Sequence, residues 1–366
     1  MKKVPSIVIL SLIMFFLATG VTYGIGFALK LPLPLVEDGV HDGDYSKQDA
    51  LMERWKNVRI YEMTAAETVK EIVEAAPVPE DTSDQKFLKK FDEIESVTLK
   101  TYLDNNKDLV ATGYDKLLID KVDANNTPTG IKTTAGDDVL AIDTYDNMII
   151  AGLTVNGQKG KLVILKNTKQ LGLSVVENLR YWETIGSHAT RENSILAINA
   201  SGYTWNNTGN YGTLYGLAIR NGDLIRKAKL PEQSVGFNKE GKMIIGGAVE
   251  TLYNACEYYP ALIKESVDVY TGQDATKAAR TAIGQTADGD VLMVVVDGDI
   301  NTSGATLGDL LGIMKKYGAV NAANLSEGHL PVIWWNGKVV SKPYGEAEGV
   351  RLPTAWVIKS ASEIVE

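Results

Sequence analysis

Cys256 is the single cysteine of this 366-residue chain, so no disulfide can form within it. A domain built this way rests on its own apolar core, which suits an exported bacterial protein better than a disulfide-stapled animal one. Histidine is also scarce: His41, His188 and His329 are dispersed, and no spacing of Cys, His, Asp and Glu marks a metal site. Gly-x-Gly-x-x-Gly, Walker, nucleophile-elbow and lipidation patterns are missing, so neither a cofactor nor a metal is expected. Positive charge is in deficit. The 37 Lys and Arg against 46 Asp and Glu leave a net charge of -9 and no basic footprint for nucleic acid.

What is present begins with an almost uncharged run from Val4 to Leu29, long enough for a hydrocarbon core that takes about 20 apolar residues. It has neither the short core nor the small-x-small cleavage site of a signal peptide, which favours an uncleaved anchor. Lys2 and Lys3 precede it, and Glu37, Asp38, Asp42 and Asp44 follow, so the amino terminus is expected in the cytoplasm and the rest outside. The expected division is 1–30 for the cytoplasmic tip and transmembrane anchor, 31–115 for a helical stalk and 116–366 for the working domain. In the stalk, Thr64 to Glu67 reads as a capping box, and a helical pattern through Phe87, Leu88, Phe91, Ile94 and Val97 has one face that packs against something.

From about Lys116 the texture is of short β-rich runs with interleaved helices, one before Asn193 and one opening at Thr306 and closing at Gly318. The fold class expected is α/β, in the broad sense of mixed α+β: a central mixed sheet flanked by helices, preceded by the transmembrane helix and stalk.

Four segments set glycine and polar residues beside buried-looking strands, where functional loops tend to lie. Ala197-Ile-Asn-Ala-Ser-Gly-Tyr203 ends a strand at Asn199 and breaks at Gly202; this is a site loop or an ordinary strand exit with an Asx turn. Gly209 to Gly222 is glycine-dense and closes on the strong turn signal Asn221-Gly222, by hairpin geometry or by close approach to a ligand. Arg280-Thr-Ala-Ile-Gly-Gln285, Asp288-Gly289 and Val291 to Gly298 form a hairpin whose second strand is apolar on both faces, hence central in a covered sheet. Its turn brings Arg280 towards Asp297. The guanidinium then forks a phosphate or carboxylate, or pairs with Asp297. Last, Ala319 to Leu325 is followed by Ser326-Glu-Gly-His329 and a hairpin at Asn336-Gly337. Glu327 and His329 there have the chemistry of an acid–base pair, or are plain loop residues.

Taken in order, these segments resemble the phosphodiester glycosidase domain family. Ala197 to Tyr203 looks like its Ile-Asn-Gly-Gly-Phe, Gly209 to Gly222 like its glycine-rich hairpin, and Tyr259-Pro-Ala-Leu-Ile263 like its Gly-Pro-x-Leu-Val. Arg280-Thr-Ala-Ile-Gly284 and Val296-Asp-Gly298 match its motifs intact, and Asn324-Leu325, Trp335 to Val340 and Pro353-Thr-Ala355 extend the resemblance over about Asp137 to Ile358. Departures concentrate in one stretch, where Ser326 replaces an aspartate and Glu327 and His329 interrupt a glycine run. Ala200 and Ser201 also stand where glycines are usual. A negative Glu327 beside a backbone anion cradle would oppose phosphate.

The resemblance implies an enzyme that hydrolyses a sugar-1-phosphodiester of exopolysaccharide or envelope glycan. Arg280, Asp297, Glu327 and His329 are then catalytic candidates. Asn199, Gly202, Thr281, Gly298, Asn324, Ser326 and Gly328 are substrate-binding candidates. The rival is a catalytically silent relative that grips glycan, with Trp334, Trp335 and the Tyr203 to Tyr215 cluster as stacking faces. Partners expected are a glycan or sugar-phosphodiester and, through the anchor, a membrane.

Overall fold

The structure is a computed structural model that describes residues 82–109, 111, 113–179, 182–205, 212–247, 249–257, 260–272, 274–299, 302–328, 331–342 and 351–364. The expected anchor at 4–29, the capping box at Thr64 and the stalk as far as residue 81 lie outside these. Among the described residues no helix is long and apolar enough to cross a membrane.

Residues Glu80–Glu366 form one compact unit. Its centre is a nine-stranded sheet built from β1 (Leu118–Asp120), β2 (Asp138–Asp143), β3 (Met148–Val155), β4 (Gln158–Leu165), β5 (Ala261–Lys264), β6 (Val267–Asp268), β7 (Ala279–Thr286), β8 (Val291–Val296) and β9 (Ala319–Gly328), in the spatial order β1-β2-β3-β4-β8-β7-β9-β5-β6. Strand alternation sends Leu162, Ile164, Leu292, Val294 and Val296 to one apolar core and Val163, Leu165, Val291, Met293 and Val295 to another. All six side chains of β8 are buried. At about 1.5–3 kcal/mol for each fully buried aliphatic side chain, this hairpin anchors both layers.

The first core is closed by helices α1 (Ser83–Lys90), α2 (Ser96–Asn105) and α4 (Leu307–Lys316). The second is closed by two five-stranded sheets, one through Leu171–Val175, Ser194–Asn199, Ile333–Trp335, Lys338–Val339 and Thr354–Lys359, the other through residues 218–257. A short helix, α3 (Ile185–Arg191), packs on the outer side of the first of these small sheets through Ile185 and Ala189. The architecture is therefore mixed α+β, mostly sheet.

Two expectations change. The sheet is not mixed: every strand pairing among the described residues is antiparallel, because short turns join β2–β3, β3–β4 and β7–β8. And residues 82–115, expected as the end of a stalk, belong to the domain. Phe87, Phe91, Leu99 and Leu103 are buried against Ile119, Ile131 and Ile149, and Glu95 caps α2 by accepting from Val97 and Thr98 N–H. Along the apolar spacing from Phe87 to Val97, Phe87, Phe91 and Ile94 are buried, whereas Val97 is exposed and the helix is broken between Lys90 and Ser96.

Other local expectations hold. Thr306 and Asp309 form a capping box on α4, Gly318 ends it at φ +74°, and Asn336 and Gly337 both take the positive φ of a two-residue hairpin.

Candidate functional site

The β7–β8 hairpin sets the geometry. Arg280 pairs with Val296 and Thr281 with Val295, so the residue after Val296, Asp297, lies on the Thr281 side and not on the Arg280 side. The two residues expected to converge face opposite layers.

On the helix side, Arg280 is fully buried. Its Nε donates to Ala305 O at 2.9 Å and an Nη to Thr276 O at 3.2 Å, with the Asp274 carboxylate 3.9 Å away. Gly298 and Gly304 pack closely beside it: a Cβ on Gly298 would meet Ser303 O at 2.3 Å, and one on Gly304 would meet Ala278 O at 2.1 Å. Only glycine permits that approach. Asn324 pairs with Ala282, placing it on this same face, and its N–H donates to Pro260 O at 3.0 Å.

On the opposite face, Asp297 is 5% exposed and accepts from the Lys342 N–H at 2.9 Å. Burial pushes its carboxyl above the ordinary range, while that hydrogen bond and the charges of Lys161 and Lys342 pull it back. Lys161, buried on β4, pairs with Val295, so Lys161, Val295 and Thr281 form a row across adjacent strands. Its ammonium donates to Asn126 Oδ1 at 2.9 Å, and burial lowers it to about 8. The hydroxyl of Thr281, at the end of the row, is buried without a hydrogen-bond partner.

Asn199 joins this side through the hairpin that follows β9. Its Oδ1 accepts from Val332 N–H at 2.6 Å, Ile333 N–H donates to Ser341 Oγ at 3.1 Å, and Lys342 N–H reaches Asp297. One hairpin base is thus held at both ends by Asn199 and Asp297. Gly202 accepts from Tyr215 N–H at 2.9 Å and its N–H faces Glu257 O at 3.4 Å, tying the strand exit to the neighbouring sheet.

The expected loop at 326–329 differs. Ser326, Glu327 and Gly328 stay in β9, opposite Thr281, Arg280 and Ala279, after a bulge at Leu325 that shifts the register. His329 lies outside the described residues. The structure therefore brings together Asp297, Thr281 and, through the hairpin, Asn199; it sets Arg280 and Asn324 on the other face. Lys161 and Asn126 were missed. The available signal was one lysine in the apolar run Gly160-Lys-Leu-Val-Ile-Leu165.

His188 has a structural role. Its Nε2–H donates to Leu352 O at 3.0 Å, so Nδ1 accepts from Ser174 Oγ at 2.9 Å and from an Arg191 Nη at 3.1 Å. Burial, with the Arg191 charge, pushes it down to about 4. A cavity of about 430 Å³ among Lys166, Lys242, Gln285 and Asp288 lies at the β7–β8 turn, the far end of these strands from Asp297.

These features, a covered antiparallel sheet ending in a buried carboxylate, an amine and a hydroxyl, fall largely within a segment that matches a known family. Residues 192–359 match the phosphodiester glycosidase family model. An SPbeta prophage-derived uncharacterized protein, YomE, of Bacillus subtilis (strain 168) is 30% identical over 165 residues, covering 40% of this chain and 25% of the relative. The chain thus spans about a quarter of that relative's length. Among solved structures, the catalytic domain of zebrafish N-acetylglucosamine-1-phosphodiester alpha-N-acetylglucosaminidase, auto-inhibited by its pro-peptide, aligns with TM-score 0.49 and 18% identity over 58% of this chain and 82% of that one. A hypothetical protein from Synechocystis aligns with TM-score 0.49 and 14% identity over 62% of this chain and 65% of that one.

Proposed function

We propose that this chain hydrolyses a sugar-1-phosphodiester of exopolysaccharide or cell-envelope glycan, releasing the sugar and leaving a phosphomonoester on its partner. Asp297 carries the reading. It lies in the family-matched segment, is buried, and is oriented by the Lys342 N–H. A carboxyl whose proton affinity burial has raised suits a base or nucleophile. Phosphate is already a good leaving group, so a strong general acid is less needed than in ordinary glycoside hydrolysis. Asn199 holds the hairpin that presents Lys342. The proposal includes location: the Val4 to Leu29 run tethers the chain, with Lys2 and Lys3 inside and the domain outside the membrane.

The test is incubation of the full-length chain, in detergent, with a panel of sugar-1-phosphodiesters. Release of free sugar, lost in Asp297→Asn, is expected. Ser326 in the place of the family's aspartate favours one other reading, a silent relative that binds glycan. Saturable glycan binding with no release across the panel decides for that reading; neither binding nor release overturns both.

A further inference from the structure

The buried charge of Asp297 has to be balanced, and the cations that face it are few. Arg280 is committed to Thr276 O and Ala305 O on the other side of the sheet. Lys342 gives Asp297 its backbone N–H but sends its ammonium to Asn125 Oδ1, 2.7 Å away. Lys161 remains. It pairs with Val295, and Asp297 N–H donates to Lys159 O at 2.8 Å, so Lys161 sits one diagonal step from Asp297 on the same face. Such diagonal neighbours are about 7–8 Å apart, within reach of a lysine stem.

Asn126 directs that stem. Its Nδ2 is committed to Leu153 O at 3.1 Å and Gly160 O at 2.9 Å, which turns its Oδ1 to the Lys161 ammonium. Its side chain lies over Gly152, where a Cβ would meet it at 3.1 Å. The amine is therefore held by a fixed acceptor on the face that it shares with Asp297.

We propose that Lys161, which lies outside the family-matched segment, is a positioning residue for Asp297: its ammonium keeps the buried carboxylate ionised and in place for reaction. The inference rests on Asp297 being the reacting group. A buried carboxylate with no facing cation takes up a proton instead. The charges around the pair agree. Burial depresses Lys161, Asp297 and Asp123 raise it, and Lys342 and Lys159 lower it further. Burial raises Asp297, and Lys342 and Lys161 lower it. Each charge thus favours the ionised form of the other.

The test is an NMR titration of the full-length chain, with labelled aspartate carboxyls and lysine amines, in wild type, Lys161→Met, Lys161→Arg and Asp297→Asn. In Lys161→Met the Asp297 midpoint rises by about one unit or more, the size of an opposite-charge effect at this range. In Lys161→Arg it returns towards wild type. Reciprocally, the Lys161 amine titrates lower in Asp297→Asn. On a phosphodiester that the protein turns over, the acidic limb of kcat in Lys161→Met moves up by the same amount, with KM held within about threefold. An Asp297 midpoint unchanged in folded Lys161→Met overturns the proposal. If that variant does not fold, an unchanged Lys161 midpoint in Asp297→Asn does so. A wild type that turns over no phosphodiester sinks the proposed function and the catalytic use of the carboxylate, while the carboxyl titration still decides whether Lys161 keeps Asp297 ionised.

Discussion

Arg280 and Asp297 are separated by one step of strand register, and each is a charged group taken out of water, yet their surroundings differ in kind. Arg280 faces the helix layer, where its donors meet backbone carbonyls and Gly304 lies close on Ala278 and Ala279. Asp297 faces the layer of small sheets beside an amine depressed by burial and a hydroxyl with no partner. The first ties the guanidinium to backbone carbonyls of neighbouring segments. The second keeps a charge pair and an unsatisfied hydroxyl in a core that apolar residues would have filled more stably, which is the pattern expected where function is held against stability. The proposed function assigns the chemistry to the second face and leaves the first to build the end of the sheet.

That contrast can be broken. The largest expected effect is on turnover: Asp297→Asn keeps an acceptor for the Lys342 N–H but loses the charge, so sugar release falls by about 10²–10⁴-fold while Tm stays near wild type. Next comes Arg280→Met, which removes the guanidinium from Ala305 O, left with only the Ala278 N–H, and from the half-buried Thr276 O. It costs about 3–5 kcal/mol by urea unfolding, in the range for removing one member of a buried charged network. The folded fraction keeps its KM.

Two pH effects of similar size then separate the regions. His188 is held neutral, with its pKa lowered from 6.5 to about 4. The unfolded chain binds a proton here before the folded one does, so stability is complete above 6.5 and falls as pH drops towards 4. The loss is up to about 3 kcal/mol, and His188→Gln removes it from the acid side of the Tm profile. Lys161, lowered from 10.5 to about 8, has the same sign in another window. Wild type gains up to about 3 kcal/mol relative to Lys161→Met as pH rises from 8 to 10.5, because the unfolded lysine still holds a proton that the folded one has released. Equal slopes in the two proteins would remove Lys161 from the site. The smallest effect is at Gly337, where φ is +92° and the space is open. Gly337→Ala costs about 1–2 kcal/mol through backbone strain alone, and loosens the hairpin that Asn199 and Asp297 hold.

Much of this could be read before the structure. Arg280 to Gly284, Asp288-Gly289 and the doubly apolar Val291 to Val296 specify a central hairpin, and Asn336-Gly337 and Thr306 to Asp309 specify a turn and a cap, because each signal is local. What could not be read depends on register. Whether Arg280 opposes Val296 or Asp297 is a matter of one residue in the β7–β8 turn, and one residue exchanges the faces. The same is true of Lys161, whose place beside Asp297 follows only once β4 is paired with β8. Ser326 to Gly328 looked like a loop because strand pairing past the bulge at Leu325 leaves no mark in composition. The helices at 83–105 looked like a stalk because their apolar faces do not say what they pack on.

The most direct measurement is steady-state hydrolysis of one sugar-1-phosphodiester by wild type, Asp297→Asn and Arg280→Met, each normalised to folded protein. Lost kcat in Asp297→Asn with kcat/KM preserved in Arg280→Met is the result predicted. Full activity in Asp297→Asn, or phosphodiester affinity lost in folded Arg280→Met, would contradict the division of labour between the two faces.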